Sequence, residues 1–186
     1  MVLNNKAQMF SIWFPVDFFL PEVVEQWEPY IQKLKLPYMT LTDFMNAQIQ
    51  SVSYPSIDIG ASEQQQGQFP IQYTIGKELE PILNKDFTIT FKLTESYLTY
   101  WILFDQTRWF LEYTKRISKD TFVFMEDINI TFLNDAGFSM VNYKYKQIIP
   151  KSLGNFTLSY ASQLAQYTTI DWGLHYNRMD VEFEGA

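Results

Sequence analysis

Hydrophobic and polar positions change their period several times along this chain, and each change marks an element. Between residues 22 and 36, Val23, Val24, Trp27, Tyr30, Ile31 and Leu34 recur at helical spacing opposite Glu25, Gln32 and Lys35, which predicts an amphipathic helix. Pro29 lacks the amide that a helix interior uses and is expected to kink or split it. A second short helix is expected near Thr42, whose hydroxyl would cap the free amides ahead of Asp43, Phe44 and Met45. The first 48 residues therefore read as helical or mixed.

From Gln48 the period falls to two. Ile49, Val52, Tyr54, Ile57 and Ile59 predict a strand broken by Pro55. The Gln-rich stretch 62–68 has no large apolar residue and reads as a flexible loop. Phe69, Ile71, Tyr73 and Ile75 then make a return strand, so that 49–75 forms a long hairpin. Phe87, Ile89, Phe91 and Leu93 alternate with Thr88, Thr90, Lys92 and Thr94, the pattern of a sheet with one buried and one wet face.

Over 96–115 the helical period returns, with Leu98, Trp101, Ile102, Trp109, Phe110 and Tyr113 on a broad apolar face. A stripe so wide must meet more than one surface: either the helix is sunk in its own core, or it is wedged between its own sheet and a neighbouring subunit. Four further strands are predicted, over about 122–133, 139–148, 155–160 and 167–178, with an Asn134-Asp135-Ala136-Gly137 turn between the first two. The sum is a mainly β fold with one central α-helix, a β-sandwich or partly open barrel. Residues 1–48 are expected as a helical N-terminal extension packed on a main domain of 49–186.

Composition sharpens this picture. The 186 residues include 16 Phe, 12 Tyr and 5 Trp, rich in strand formers and in the residues that dominate interfaces. With no cysteine, disulfides and thiolate metal sites are excluded. A net charge of −7 disfavours a module that grips nucleic acid. The apolar run from Met9 to Leu20 is interrupted by Pro15 and Asp17, and it reads as neither signal peptide nor membrane span.

Catalytic patterns do not emerge. His175, the single histidine, falls on the polar side of the last strand beside Asp171 and Asn177, and reads as a solvent-facing residue. The chain contains no G-x-S-x-G, Walker loop, G-x-G-x-x-G or H-E-x-x-H. Asp86 and Glu95 read as solubilising charges at strand ends. No catalytic residue, metal ligand or cofactor is expected.

Three stretches resemble the tail tube protein of contractile-tailed bacteriophages, a family that shares its fold with the ring-forming Hcp protein of type VI secretion. They are SYPSIDIGASEQQQGQFPIQYTIGKELEPI, DFTITFKLTESYLTYWILFDQTRWFLEY, and the closing unit ITFLNDAGFSMVNYKYKQIIPKSLGNFTLSYASQ with TTIDWGLHYNRMDVEF. The resemblance spans about 49–183 and lies in the order of the pieces, while residues 1–48 exceed the minimal family pattern. It implies a structural, non-enzymatic virion protein whose hexameric rings stack into a tube for DNA ejection, with tail sheath and baseplate proteins as further partners. The tail, and the host cytoplasm during assembly, would be its location.

Under this resemblance the residues expected at subunit or ring contacts are Tyr54, Pro55, Gln64, Gln65, Gln66, Phe69, Tyr73, Trp101 and Trp109. The helix over 96–115 would help to seal the seam between protomers. Six copies at −7 make −42 per ring, and acidic or polar side chains are expected along the bore. Three alternatives stay open: a baseplate-end or terminator ring of the same fold, a secreted Hcp-like ring, and, from another class, a small-ligand-binding β-barrel.

Overall fold

The computed structural model describes residues 10–53, 62–66, 69–73, 85–116, 122–134, 136–155 and 168–183. In chain order the elements are β1 (Phe10–Trp13), α1 (Pro21–Lys33), α2 (Leu41–Ala47), β2 (Ile49–Val52), β3 (Ser62–Gln66), β4 (Phe69–Tyr73), β5 (Asp86–Lys92), α3 (Leu98–Arg116), β6 (Ile128–Leu133), β7 (Ser139–Leu153) and β8 (Thr169–Phe183). Six strands form one antiparallel sheet in the order β1-β6-β7-β8-β5-β2, and β3 and β4 form a separate two-stranded ribbon. The large sheet is a nearly closed barrel rather than one half of a sandwich.

The cleanest alternation in the sequence is also the cleanest in the fold. Phe87, Ile89 and Phe91 of β5 are buried, while Thr88 and Thr90 point away. On β8 beside it, Ile170, Trp172, Leu174 and Tyr176 are buried in register: Phe87 opposes Leu174, Ile89 opposes Trp172 and Phe91 opposes Ile170. Apolar side chains on one face must leave water together, so this pairing specifies the register.

The long β7 and β8 strands then change phase together. Tyr145 and Ile148 are both buried although three residues apart, as Gln147 between them takes a positive φ of 56°. Across the ladder Tyr176 is buried and Met179 half-buried, again three apart. The reversal is therefore matched on both strands, and one apolar face continues past it.

Residues 10–48 share this core. β1 pairs with β6, setting Ile12 opposite Ile130. Phe14 stacks on Phe18 at 4.5 Å and on Phe91 of β5 at 6.2 Å, and Phe18 meets Trp172 of β8 edge-on at 6.1 Å. Val23, Ile31, Leu41, Phe44 and Met45 are buried in the same cluster.

The described residues contain three α-helices, and α1 and α2 both fall within the first 48 residues, where helices were expected. Several expectations are corrected. α1 runs through Pro29 without a break, and Pro29 sits on its exposed side. The cap of α2 is Thr40, which accepts from the Asp43 amide at 3.1 Å; Thr42 is buried and donates to the Val16 carbonyl at 3.3 Å.

The Gln-rich stretch is a strand over Ser62–Gln66 rather than a loop, paired with Phe69–Tyr73, and β2 pairs with β5 instead of making a 49–75 hairpin. Residues 122–127 precede β6 with a single bridge from Met125 to Ile148. The strand expected over 155–160 lies almost wholly outside the described residues.

Candidate assembly surfaces

Four surfaces are candidates for contact with other chains, and each follows from the fold. The first is the wet face of the sheet. Alternation places Lys144 on β7 beside Asp180 on β8, and Thr90 on β5 beside Asp171 on β8. Charges of opposite sign then pair on this face: Lys146 Nζ with Asp180 Oδ2 across β7 and β8 at 2.5 Å, Arg178 Nε with Asp180 Oδ1 along β8 at 3.4 Å, and Lys144 Nζ with Asp127, just ahead of β6, at 3.4 Å.

Further along, Asp86 is held between two neighbours. It accepts from Lys151, and His175 Nδ1 donates to its Oδ1 at 2.7 Å. The lysine bond, followed by the histidine bond, keeps the Asp86 carboxyl below its ordinary value of 3.8. The bond from Lys146 depresses Asp180 in the same way. Thr90 donates to Asp171 at 2.7 Å. Acidic and basic groups thus neutralise each other locally along this face, so the surplus negative charge of the chain is not concentrated on it.

The second surface is the pair of sheet edges. β1 and β2, the outermost strands, have four residues each. Short edges limit uncontrolled pairing while leaving backbone groups for a specific partner. The third is the β3–β4 ribbon, which pairs within itself and, among the described residues, joins no other sheet.

The fourth surface is the outer side of α3. Its inner side buries Leu98, Ile102, Leu103 and Phe110. Asp105 and Gln106 are also buried: Asp105 accepts from the Trp27 indole at 2.9 Å, and Gln106 accepts from the Leu20 amide at 3.0 Å. These bonds fix α3 against α1 and the segment before it. Trp101, Phe104 and Leu111, at i, i+3 and i+10, are left 46%, 39% and 51% exposed.

Comparison with known proteins gives a narrow result. No protein-family model matches the chain, and no curated protein matches it. Among solved structures, the chain is similar to the tube-terminating cap of the anti-feeding prophage, at 17% identity and a TM-score of 0.43 over 73% of this chain and 80% of that one. It is also similar to the sheath/tube terminator of the extracellular contractile injection system PVC, at 18% identity and a TM-score of 0.43 over 72% and 84% of the two chains. A third is the Hcp1 protein from E. coli EAEC 042, at 7% identity and a TM-score of 0.39 over 73% and 78%.

The residues predicted to make contacts are distributed over these surfaces. Tyr54 and Pro55 lie outside the described residues. Gln64, Gln65 and Gln66 fall on β3 opposite Ile71, Pro70 and Phe69, and Tyr73 opposes Ser62, so this group is one ribbon. Trp101 is on the exposed stripe of α3, stacked edge-on with Tyr100 at 5.2 Å and Phe104 at 5.9 Å. Trp109 differs: it is half-buried, with Arg108 5.3 Å from its ring and its Nε1 shielded without a hydrogen-bond partner.

Sequence reasoning missed Phe104 and Leu111, whose i, i+7 spacing was legible, and the cross-strand charge ladder. The alternating Tyr143-Lys144-Tyr145-Lys146 run was the available signal for the ladder, but its acidic partners come from β8 and from residues before β6. Among the described residues, no group of three or more His, Asp or Glu is placed to hold a metal, and no helix is long and apolar enough to cross a membrane.

Proposed function

We propose that this chain is a structural ring-forming subunit of a tail tube of the contractile type, with an Hcp-like fold, working as a conduit wall rather than as an enzyme. The observation that carries this reading is the large sheet itself. It buries one face in its own core, keeps a polar, charge-paired face outward, and ends in two short edge strands. A neighbour's edge would extend such a sheet, and closure around a ring removes edges altogether. The polar face then lines the bore.

The neutralised wall suits passage of a polyanion such as DNA. Lys144, Lys146 and Lys151 on it are each paired with an aspartate, which weakens their hold on phosphates. The β3–β4 ribbon would reach the next ring, and sheath or baseplate proteins would meet the outside of the tube. In the virion reading the protein assembles in the host cytoplasm and ends in the tail. A ligand-carrying barrel is less well supported, because the interior is filled: Phe87 stacks on Tyr145 at 4.7 Å, and Tyr145 meets Tyr176 at 4.8 Å.

Negative-stain imaging of the purified chain tests the proposal. Tubes of uniform bore support a repeating tube subunit, and single or double rings support an end ring. A dispersed monomer would refute both.

A further inference from the structure

We propose that a cavity of about 550 Å³ beside the connection from β5 to α3 is a binding site for a small neutral molecule that joins an apolar body to an amide edge, with Gln48 reading that edge. The site is separate from the surfaces that would build a ring, and neither reading depends on the other.

The segment after α1, the end of α2 and the chain between β5 and α3 converge on this cavity. Among the described residues its wall is mainly apolar, with Leu36 and Tyr38 from the first piece, Phe44 from the second, and Leu93 and Leu98 from the third. Tyr38 meets Phe44 edge-on at 5.5 Å, and Phe44, Leu93 and Leu98 are buried. Phe87, Tyr145 and Tyr176, which fill the barrel, are not part of this wall. The volume falls within the range of about 300–1,000 Å³ usual for small-ligand sites.

Gln48 gives the cavity its chemistry. The residue lines it and is only 7% exposed, and among the described residues its side-chain amide has no hydrogen-bond partner. Its backbone is fully used: the N–H donates to the Met45 carbonyl at 3.1 Å, and the carbonyl accepts from the Lys92 amide at 2.8 Å. The side chain is thus anchored at its root while its polar end is left over. Buried amides are nearly always bonded, and an unbonded one costs free energy that a matching ligand returns.

A primary amide holds donors and an acceptor side by side. Its complement is the same pair reversed, as in a carboxamide or a lactam. A hydrocarbon would leave both sides unpaired, and a carboxylate would leave the Gln48 carbonyl unpaired. Lys92, the charged residue of the described wall, disfavours a cation. The backbone agrees with a built site: Lys35 next to Leu36 has a φ of 52°, and Ser96 and Tyr97 next to Leu98 have φ values of 61° and 55°. Left-handed residues other than glycine persist only where their surroundings determine them, and they cluster at ligand clamps and other functional sites.

Saturation-transfer NMR on the purified full chain tests this, since it reads weak binding even to large assemblies. Phenylacetamide, phenylacetate and ethylbenzene share one ring and differ in the polar end. Phenylacetamide should bind in the millimolar range, and the other two several-fold more weakly. Gln48→Leu removes the amide and keeps the bulk. It should weaken phenylacetamide by about tenfold, the equivalent of one or two neutral hydrogen bonds, and should melt at or above the parent's temperature because an unpaired polar group is gone.

No transfer to phenylacetamide at millimolar concentration, equal binding of ethylbenzene, or unchanged binding by Gln48→Leu would overturn the site. Phenylacetate binding as tightly as the amide would overturn the ligand class in favour of an anionic head. A Gln48→Leu chain that melts well below the parent, or does not fold, would show that the amide is already bonded within the chain, and would overturn the proposal as well. None of these outcomes bears on ring formation, which particle mass reads separately.

Discussion

Replacing Asp105 by alanine should loosen the attachment of α1 to α3, and its cost is readable from the geometry. The carboxylate is buried, and its Oδ2 accepts from Trp27 Nε1 at 2.9 Å and from Gln26 Nε2 at 3.0 Å, while Arg108 lies 3.4 Å from Oδ1. Gln26 is exposed and finds water when its acceptor goes, so little is lost there. Trp27 is partly buried, and its indole N–H loses a charged acceptor; hydrogen bonds of that type contribute about 1.5–3 kcal/mol.

Asp105→Ala is therefore expected to lower stability by about 2–3 kcal/mol, or roughly 4–12 °C in melting temperature for a chain of this size. The assay is urea unfolding at one fixed protein concentration, since any self-association adds to apparent stability. Asp105→Asn keeps an acceptor and should lose about 1 kcal/mol. A double-mutant cycle with Trp27→Phe should show coupling of about 1–2 kcal/mol. If Asp105→Ala stays within about 0.5 kcal/mol of the parent, or the cycle is additive, the bond does not hold the N-terminal helix in place.

Three other outcomes follow from single sites. A Cβ added at Gly173 would stand 2.3 Å from Ser152 Oγ but 3.6 Å from Ser152 Cβ, so Gly173→Ala should cost about 1–3 kcal/mol in thermal unfolding and Ser152→Ala should recover most of it. Asp86 has a depressed folded-state value, so the stability it contributes is present above the ordinary aspartate value and is lost as pH falls through the folded one. Asp86→Asn should flatten the acid limb of the stability curve below about pH 4, by about 0.5–1 kcal/mol for so exposed a cluster; an unchanged limb would refute the linkage. Replacing Gln64 to Gln66 with a short Gly-Ser turn removes one arm of the β3–β4 ribbon; the subunit should stay folded while stacked rings become rare in electron micrographs, and undiminished stacking would refute the role of the ribbon.

Much of the sheet was legible because its residues answer to one face only. Phe87, Ile89 and Phe91, or Ile170, Trp172, Leu174 and Tyr176, alternate as a half-buried strand requires. The Ser62–Gln66 strand was not, because its five residues, Ser-Glu-Gln-Gln-Gln, carry no apolar side chain and so leave no period to read. β1 was missed for a related reason: Phe10–Trp13 is four residues long, and Ile12 is its single buried position. The charge ladder stayed hidden since pairs such as Lys146 with Asp180 and Lys151 with Asp86 are set by register between distant segments. The width of the apolar stripe on α3 was visible, but only the fold shows that Trp101 faces outward while Trp109 is half-buried.

The mass of the purified parent in solution tests the central claim most directly. A ring-forming subunit predicts a particle near six times the 22.0 kDa chain, or tubes built from it, at micromolar concentration. A stable particle of a single chain mass, unchanged on concentration, would contradict the account.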